Sequence, residues 1–230
     1  MFLKDLLFPK FCLGCGTLGT YICPKCQRLL RYLNRDTCFY CKKASLYGLT
    51  HPICLKKFNV DGVVSIFYYN NLLKKIIKNV KYRLVTEAWK DLTRMIKPES
   101  IGRIAFYKKL SRDLFLQPIP LFKTKIRERG FNQAFLIAKF FQTFLEFSIS
   151  DFLVRVKETF PQAELKTKRD RYQNLRGAFK VRPEYRSALA GSNIILIDDV
   201  ITTGSTAKEA GKTLKKAGAN KVYVLAIAKG

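Results

Sequence analysis

The sequence predicts an α/β fold in which a mainly parallel sheet is flanked by helices and preceded by a small metal-binding module. Two patterns carry this prediction. An apolar run at Ile194–Ile197 leads through a polar turn into a helix, and four pairs of metal-ligand residues are confined to the start of the chain. With 230 residues, of which 48% are hydrophobic, the chain is long enough to bury a full core.

The strand, turn and helix near the C-terminus predict a phosphate site. Four branched apolar residues at 194–197 are typical of a buried parallel strand. Asp198 and Asp199 follow, then a turn rich in hydroxyl groups, and we predict a helix over 206–217 and a strand over 221–228. Amides at such a turn converge on an anion. The sequence lacks the glycine motifs of NTPase loops and dinucleotide folds, and the two carboxylates suit the hydroxyls of a phosphorylated sugar.

All seven cysteines and the single histidine lie between Cys12 and Cys54, in pairs with one spacing. The pairs are Cys12/Cys15, Cys23/Cys26, Cys38/Cys41 and His51/Cys54. Two ligands separated by two residues can wrap a tetrahedral metal in a tight knuckle. The odd cysteine count argues against a disulfide framework, and four tandem pairs argue against a thioredoxin-like motif. We therefore predict one or two structural Zn²⁺ ions, and the spacing leaves sequential and cross-braced pairing both open.

The charge balance is strongly basic, with 43 Lys and Arg against 17 Asp and Glu and a net charge of +26. Such an excess favours polyanions: nucleic acid, anionic lipid or phosphorylated small molecules. A basic surface that is merely solvated is the alternative. Basic and aromatic residues are interleaved at Phe67–Arg83, a mixture that suits phosphate neutralisation and base stacking on a single strand. We therefore predict a nucleic-acid partner.

The sequence predicts a cytoplasmic protein. No stretch approaches the ~18 uncharged apolar residues of a membrane span, and the N-terminus lacks the apolar core and cleavage site of a signal peptide. The apolar segment Met1–Phe8 could also touch a membrane surface.

Ile194–Thr206 resembles the thirteen-residue motif with which type I phosphoribosyltransferases bind 5-phosphoribosyl 1-pyrophosphate (PRPP). The resemblance implies that Asp198 and Asp199 hold the ribose 2′- and 3′-hydroxyls, and that Mg²⁺ accompanies PRPP. It assigns the 5′-phosphate to the residues of the turn, which are Thr202, Thr203, Gly204, Ser205 and Thr206.

Further segments are similar to the ComF-type competence proteins: Gln117–Leu121, Arg127–Gln133, Asn174–Phe179 and the cysteine-rich N-terminus. This resemblance implies a type I phosphoribosyltransferase-like twisted, mainly parallel sheet over residues 59–230 and a zinc-ribbon-like, zinc-binding module over residues 1–58. It implies a role in natural transformation, with single-stranded DNA and the DNA-uptake machinery at the inner membrane as partners. The usual fourth Cys-x-x-Cys pair is His51/Cys54 here.

The same resemblance indicates two loops around the groove. The loop after Pro118 is expected to hold pyrophosphate, with Pro120, Leu121, Lys123 and Arg129 as candidates. The polar stretch Thr159–Asn174 has no clear periodicity and is expected to be a flexible loop over the reacting centre. Its candidate contacts are Gln162, Lys168 and Arg171.

Two functions of different classes follow. One is a PRPP-binding protein that handles single-stranded DNA during uptake. The other is an enzyme that moves phosphoribosyl from PRPP to an unidentified nitrogen nucleophile, and an RNA-binding zinc protein is a third possibility. The sequence indicates no general base and no acceptor pocket, so no catalytic residue is assigned.

Overall fold

The computed structural model describes residues 9–82, 86–110, 113–160 and 167–230. Seven strands lie in these ranges: β1 (Gly62–Tyr68), β2 (Leu114–Pro118), β3 (Ser148–Ile149), β4 (Leu153–Arg155), β5 (Phe179–Val181), β6 (Asn193–Ile201) and β7 (Lys221–Lys229). Five of them form one sheet in the order β1-β7-β6-β2-β3, and every neighbouring pair is parallel. β4 and β5 form a separate antiparallel pair.

Nine helices lie in the same described ranges. They are α1 (Pro24–Gln27), α2 (Asn71–Tyr82), α3 (Thr86–Thr93), α4 (Pro98–Leu110), α5 (Lys123–Arg129), α6 (Gln133–Leu145), α7 (Lys168–Leu175), α8 (Arg186–Leu189) and α9 (Ser205–Lys216). Short 3-10 turns occupy Leu46–Gly48, Pro52–Cys54 and Pro183–Tyr185. Among the described residues, no helix combines the length and the apolar character needed to cross a membrane.

The sheet has a hydrophobic core on each face, because successive side chains of a strand point to opposite sides. In β6, Ile195 and Ile197 belong to the core shared with the buried residues of α2, α3, α4 and α6. Ile194 and Leu196 belong to the other core, which contains the apolar side of α9. Burial on both faces explains why this strand reads as a continuous apolar run.

The C-terminal strand, turn and helix match the sequence prediction closely. The helix runs from Ser205 to Lys216 where 206–217 was predicted, and the last strand runs from Lys221 to Lys229 where 221–228 was predicted. β6 is longer than the apolar run, since it continues through Asp198 and Asp199 to Ile201. The acid pair therefore belongs to the end of the strand, and the turn proper is residues 202–204.

The cysteine-rich segment packs against the edge of the sheet formed by β1. The amide of Leu33 donates to the carbonyl of Ile66 at 2.8 Å, and the amide of Tyr68 donates to Arg31 at 2.8 Å. The carboxylate of Asp36 accepts a hydrogen bond from Arg103 of α4 at 2.8 Å. Buried residues of this segment enter both cores: Cys12, Ile22, Cys23, Cys26 and Leu30 join one, and Phe39 joins the other.

The predicted fold class is confirmed: a mainly parallel sheet with flanking helices follows an N-terminal cysteine-rich module. The division into domains 1–58 and 59–230 stays a prediction. All eight metal-ligand residues lie before residue 59 and the phosphate turn lies after it, but each hydrophobic core contains residues from both sides of this boundary.

Candidate functional site

A groove of about 450 Å³ lies where the sheet's central strands end. Carboxyl ends of parallel strands meet at one edge of a sheet, and ligands of open α/β folds bind there. The groove is lined by the end of β6, by the turn that follows it, and by the segments that follow β1 and β2. Residues from the β4–β5 side complete the lining.

All seven residues assigned to the PRPP motif line this groove: Asp198, Asp199, Thr202, Thr203, Gly204, Ser205 and Thr206. Gly204 has φ 70°, the left-handed conformation that glycine adopts without strain, and this conformation turns the chain into α9. The hydroxyls of Thr203 and Ser205 are 2.9 Å apart, and Thr203 Oγ1 also accepts from the amide of Ser205 at 3.4 Å. The turn therefore presents hydroxyl groups and a helix N-terminus to the groove.

The loop after β2 brings two of its four candidates to the groove. Leu121 and Arg129 line it, and Lys125 joins them. Pro120 and Lys123, both in the described range 113–160, are not among the lining residues. Arg129 is the last residue of α5, only 8% exposed, and donates to Gln133 Oε1 at 3.3 Å.

Arg155 is a groove residue that the sequence analysis missed. It is the last residue of β4, and its guanidinium donates to the hydroxyl of Thr159. Burial lowers the pKa of Arg155, attraction to Asp198 raises it, and repulsion from Arg129 lowers it. A guanidinium stays protonated under such shifts, so the groove that holds the acid pair is also lined by two guanidinium cations, Arg129 and Arg155. Nothing local in the sequence marks Arg155, because tertiary contacts place β4: it pairs with β5, and the amide of the preceding Phe152 donates to Gln117 Oε1 of β2 at 2.7 Å.

Tyr69 and Lys74 also line the groove, from the segment that follows β1. The amide of Tyr69 donates to the carbonyl of Lys229 at 2.9 Å, and Gly230 lies between Tyr69 and Thr202. Both residues belong to the interleaved basic and aromatic segment Phe67–Arg83. The structure thus places part of this segment beside the PRPP motif.

The predicted flexible loop Thr159–Asn174 is partly helical. α7 begins within it at Lys168, after a capping box in which Thr167 accepts from the amide of Asp170 at 3.0 Å. The expectation of a stretch without regular structure was therefore wrong for its second half. The N-cap residue and an acid three positions later were the overlooked signal.

Three residues of this segment reach the groove. Arg171 lines it as expected, and so do Thr159 and Phe160, of which Phe160 is 73% exposed. The side chain of Asn174 bonds the amide and the carbonyl of Phe160 at 3.1 and 3.0 Å, which ties the two ends together. Gln162 and the side chain of Lys168 lie outside the described part of the chain.

The eight metal-ligand residues fall into two groups, each of which could hold a metal ion. Cys12, Cys15, Cys23 and Cys26 form the first group, and Cys38, Cys41, His51 and Cys54 form the second; within each, the ligand atoms lie within 4.8 Å of one another. The pairs thus combine in sequence, and cross-bracing does not occur. Tetrahedral zinc with Zn–S bonds of about 2.3 Å places sulfurs about 3.8 Å apart, which fits this spacing.

The two knuckles repeat the same backbone geometry. Cys12 and Cys38 each start a knuckle, and each accepts an amide hydrogen bond from the residue four positions later, at 2.8 and 3.0 Å. That residue is Gly16 in the first and Lys42 in the second, with φ 81° and 64°. Glycine takes this left-handed conformation freely, whereas lysine takes it at a cost. The two turns thus share one backbone geometry, and each belongs to a group of side chains that could hold a metal ion.

His51 is oriented for a metal by its second ring nitrogen. Nε2 lies 3.0 Å from the carbonyl of Ala44, which can only accept a hydrogen bond, so Nε2 carries the proton. Nδ1 then has its lone pair free and lies 3.3 Å from Cys41 Sγ. Such a carbonyl contact is the usual way in which a metal-binding histidine is fixed. The His51/Cys54 pair therefore fits a ligand role.

The thiol pKa values also favour a bound cation. Hydrogen bonding to Thr17 lowers the pKa of Cys15 to about 6. Burial raises the pKa of Cys38, but backbone donors outweigh it and bring the value to about 6. Burial and the neighbouring thiols raise the pKa of Cys26 to about 12 and that of Cys54 to about 11. Each group therefore combines a thiol of lowered pKa with a thiol of raised pKa, and a bound cation would favour the ionised form of both.

Comparison with known proteins gives consistent relatives. The chain is 30% identical over 219 residues to competence protein F of Haemophilus influenzae, covering 90% of each protein. It is 27% identical to competence protein ComFC of Bacillus subtilis, over 86% of this chain and 79% of that protein. It is also 27% identical to the DNA utilization protein YhgH of Escherichia coli K12, over 95% of this chain and 96% of that protein.

No family model matches the chain. A solved structure titled as the allosteric regulatory enzyme of purine biosynthesis is similar over 55% of this chain and 24% of its own, with 16% identity and a TM-score of 0.34. The match to the Haemophilus protein extends over 90% of both sequences. On that similarity, the chain belongs to the competence protein F family.

Proposed function

We propose that this protein binds PRPP with Mg²⁺ in the groove and handles single-stranded DNA during uptake in natural transformation. The names of its relatives, competence protein and DNA utilization protein, support the biological role. One observation carries the ligand: an acid pair and a hydroxyl-rich glycine turn line one groove at the carboxyl edge of a parallel sheet. No nucleotide-binding glycine motif competes with this assignment.

The groove supplies a partner for each part of PRPP. The amides and hydroxyls of the turn, at the N-terminus of the twelve-residue helix α9, suit the 5′-phosphate. Asp198 and Asp199 suit the ribose hydroxyls, since carboxylates accept hydrogen bonds from them. Arg129 and Arg155 suit the pyrophosphate, because guanidinium forks match phosphate oxygens. Mg²⁺, when bound with PRPP, would neutralise part of the pyrophosphate charge.

The surface supports a single-stranded nucleic-acid partner. Tyr69, Lys74 and Phe160 bring two aromatic rings and a cation to the groove that holds the PRPP motif. The metal module adds eight basic residues, all of them exposed: Lys25, Arg28, Arg31, Arg35, Lys42, Lys43, Lys56 and Lys57. Cations that neutralise phosphates and rings that stack on bases are what a single strand needs.

Zinc is the metal that we propose for both cysteine groups. Three or four thiolates with at most one imidazole, and no position left for a substrate, are typical of structural zinc. We expect the ions to stabilise the N-terminal module over residues 1–58 and not to take part in chemistry at the groove. We also propose a cytoplasmic location, where the protein meets DNA delivered by the uptake machinery at the inner membrane.

A phosphoribosyltransferase is the second candidate, and the two guanidiniums favour it. Arg129 and Arg155 could stabilise pyrophosphate as its bond to ribose C1 breaks and a bond from C1 to a nitrogen nucleophile forms. A PRPP-gated binding protein would bind PRPP without consuming it. Pyrophosphate release, measured with and without single-stranded DNA, separates the two candidates, because only the enzyme releases pyrophosphate in an acceptor-dependent way.

Calorimetric titration with PRPP and Mg²⁺ tests the ligand assignment. Wild-type protein should bind, and the double variant Asp198→Asn, Asp199→Asn should not. Asp151→Asn removes an acid that is 64% exposed and pairs with Arg182 outside the groove lining, so it is the matched control and should bind as wild type does. Equal binding by the double variant and the control would contradict the site.

Titration with labelled single-stranded DNA, double-stranded DNA and RNA tests the second part. PRPP should change the affinity for single-stranded DNA, and DNA must then change PRPP affinity by the same factor. Preference for RNA would favour the third possibility, an RNA-binding zinc protein. Unchanged DNA affinity at saturating PRPP would separate the two ligands and contradict the proposed coupling.

A further inference from the structure

The second metal knuckle touches the phosphate turn through one side chain, Phe39. A Cβ added at Gly204 would come within 2.7 Å of Phe39 Cε2, and closer still to Cζ. Phe39 is 3% exposed and lies in the knuckle between the ligands Cys38 and Cys41. The ring therefore lies directly against the backbone of the glycine that turns the chain into α9.

Several contacts fix the ring in this position. Lys42 Nζ lies 4.8 Å from its centroid and donates to the Phe39 carbonyl at 2.7 Å. Lys208 of α9 lies 5.1 Å from the same ring and 5.6 Å from that of Tyr40. Tyr40 is also 5.2 Å from Phe39, edge to face. Cations and a ring around one aromatic side chain leave it little freedom to move.

The knuckle is also attached to the body of the protein around the turn. The amide of Val60 donates to Tyr40 Oη at 3.0 Å, and Val60 packs closely on Gly211 of α9. Lys229 donates to the hydroxyl of Thr37 at 2.9 Å. The knuckle is thus fixed to α9 and β7, the two elements that follow the turn.

We infer that Phe39 is a positioning residue for the phosphate turn, and that metal binding at Cys38, Cys41, His51 and Cys54 stabilises the turn through it. The inference deepens the proposed function, because the turn is where the 5′-phosphate is proposed to bind. The metal holds the knuckle closed, the knuckle holds the ring, and the ring supports Gly204 in its left-handed conformation. Binding at the metal group and at the turn is therefore coupled, and the coupling is reciprocal.

The first metal group provides the internal comparison. A Cβ at its Gly14 would meet Cys26 Sγ at 2.6 Å and Leu72 Cδ1 at 2.7 Å, so this knuckle packs on α2. Its buried cysteines belong to the core on the opposite face of the sheet from α9. Loss of the first metal should therefore leave the phosphate turn in place.

The ring itself is tested with Phe39→Ala and Phe39→Leu against Phe147→Ala. Phe147 is 5% exposed, belongs to the other core and does not line the groove, so its truncation removes a ring of equal size and similar burial. On zinc-loaded protein, PRPP with Mg²⁺ should bind Phe39→Ala about tenfold more weakly than wild type, within the ordinary range of coupling between sites. Phe39→Leu should bind with intermediate affinity, and Phe147→Ala as wild type does. Equal weakening in both alanine variants, or none in either, would overturn the role of Phe39.

Amide hydrogen exchange tests the same inference without PRPP. The peptide that contains residues 202–206 should exchange several-fold faster in Phe39→Ala than in wild type or Phe147→Ala. Cys54→Ser, which removes a ligand of the second group, should have the same effect, and Cys15→Ser of the first group should not. Metal content is measured on each variant.

The two measurements separate the inference from the function on which it rests. Wild-type protein that fails to bind PRPP would contradict the proposed function, and the exchange data alone would then decide the role of Phe39. Equal exchange in the Cys54→Ser and Cys15→Ser proteins would overturn the link between the second metal and the turn.

Discussion

Gly204→Ala is the substitution whose cost the structure predicts in most detail. Alanine at φ 70° pays the left-handed backbone penalty of about 1–2 kcal/mol. The new Cβ would also overlap the ring of Phe39, which is enclosed by Lys42 and Lys208. Overpacking of this kind costs typically about 1–3 kcal/mol, so the two effects together should reduce the free energy of unfolding by about 2–5 kcal/mol.

Gly191→Ala is the matched control. Gly191 has φ 74°, and a Cβ built there meets nothing within 4 Å, so only the backbone penalty of about 1–2 kcal/mol applies. Urea denaturation of zinc-loaded protein, followed by circular dichroism, measures both variants. The difference between the two costs isolates the contact with Phe39.

A double-mutant cycle then assigns that difference to the ring. In a Phe39→Ala background the overlap is gone, so Gly204→Ala should cost no more than Gly191→Ala does in wild type. The coupling energy between positions 39 and 204 should be about 1–3 kcal/mol, which is measurable for residues in contact. If Gly204→Ala and Gly191→Ala cost the same, or if the cost survives in the Phe39→Ala background, the described contact is wrong.

Four further predictions follow from the site and the core. Elemental analysis of purified protein should find two zinc ions per chain, and Cys54→Ser should carry one. An unchanged zinc content in this variant would show that Cys54 is not a zinc ligand. Arg155→Met should weaken PRPP binding by roughly tenfold to a hundredfold, since a hydrogen bond to a charged group contributes about 1.5–3 kcal/mol, and calorimetry checks it. Affinity for single-stranded DNA should fall steeply as the salt concentration rises, and Lys74→Ala should reduce the slope of log affinity against log salt by about one. Equal slopes in the variant and wild type would show that Lys74 does not contact the DNA. Burial raises the pKa of Tyr223, the charge of Asp61 raises it further, and the value reaches about 12. The contribution of this side chain to the free energy of unfolding is therefore complete below a pH of about 10 and is lost as the pH rises toward 12. In denaturation experiments over that pH range, Tyr223→Phe should lose less stability than wild type does.

The sequence by itself determined the parts of this protein that depend on short spacings. The strand, acid pair, turn and helix from Ile194 to Lys216 occupy consecutive positions. Local chain geometry therefore brings the carboxylates close to the hydroxyls and amides of the turn. The knuckle spacing likewise marks eight metal ligands without knowledge of the fold. The Haemophilus relative confirms the family that these two motifs indicated.

The tertiary structure decided which distant parts meet. The arrangement of loops and strands in space decides three features of the site. The cysteine pairs combine in sequence, Pro120 and Lys123 are absent from the described groove lining, and Arg155 is part of that lining. The contact of Phe39 with Gly204 joins positions 165 residues apart. Local patterns report the conformation that a segment prefers, whereas such contacts are fixed only when the whole chain buries its two cores, so no local pattern could have predicted them.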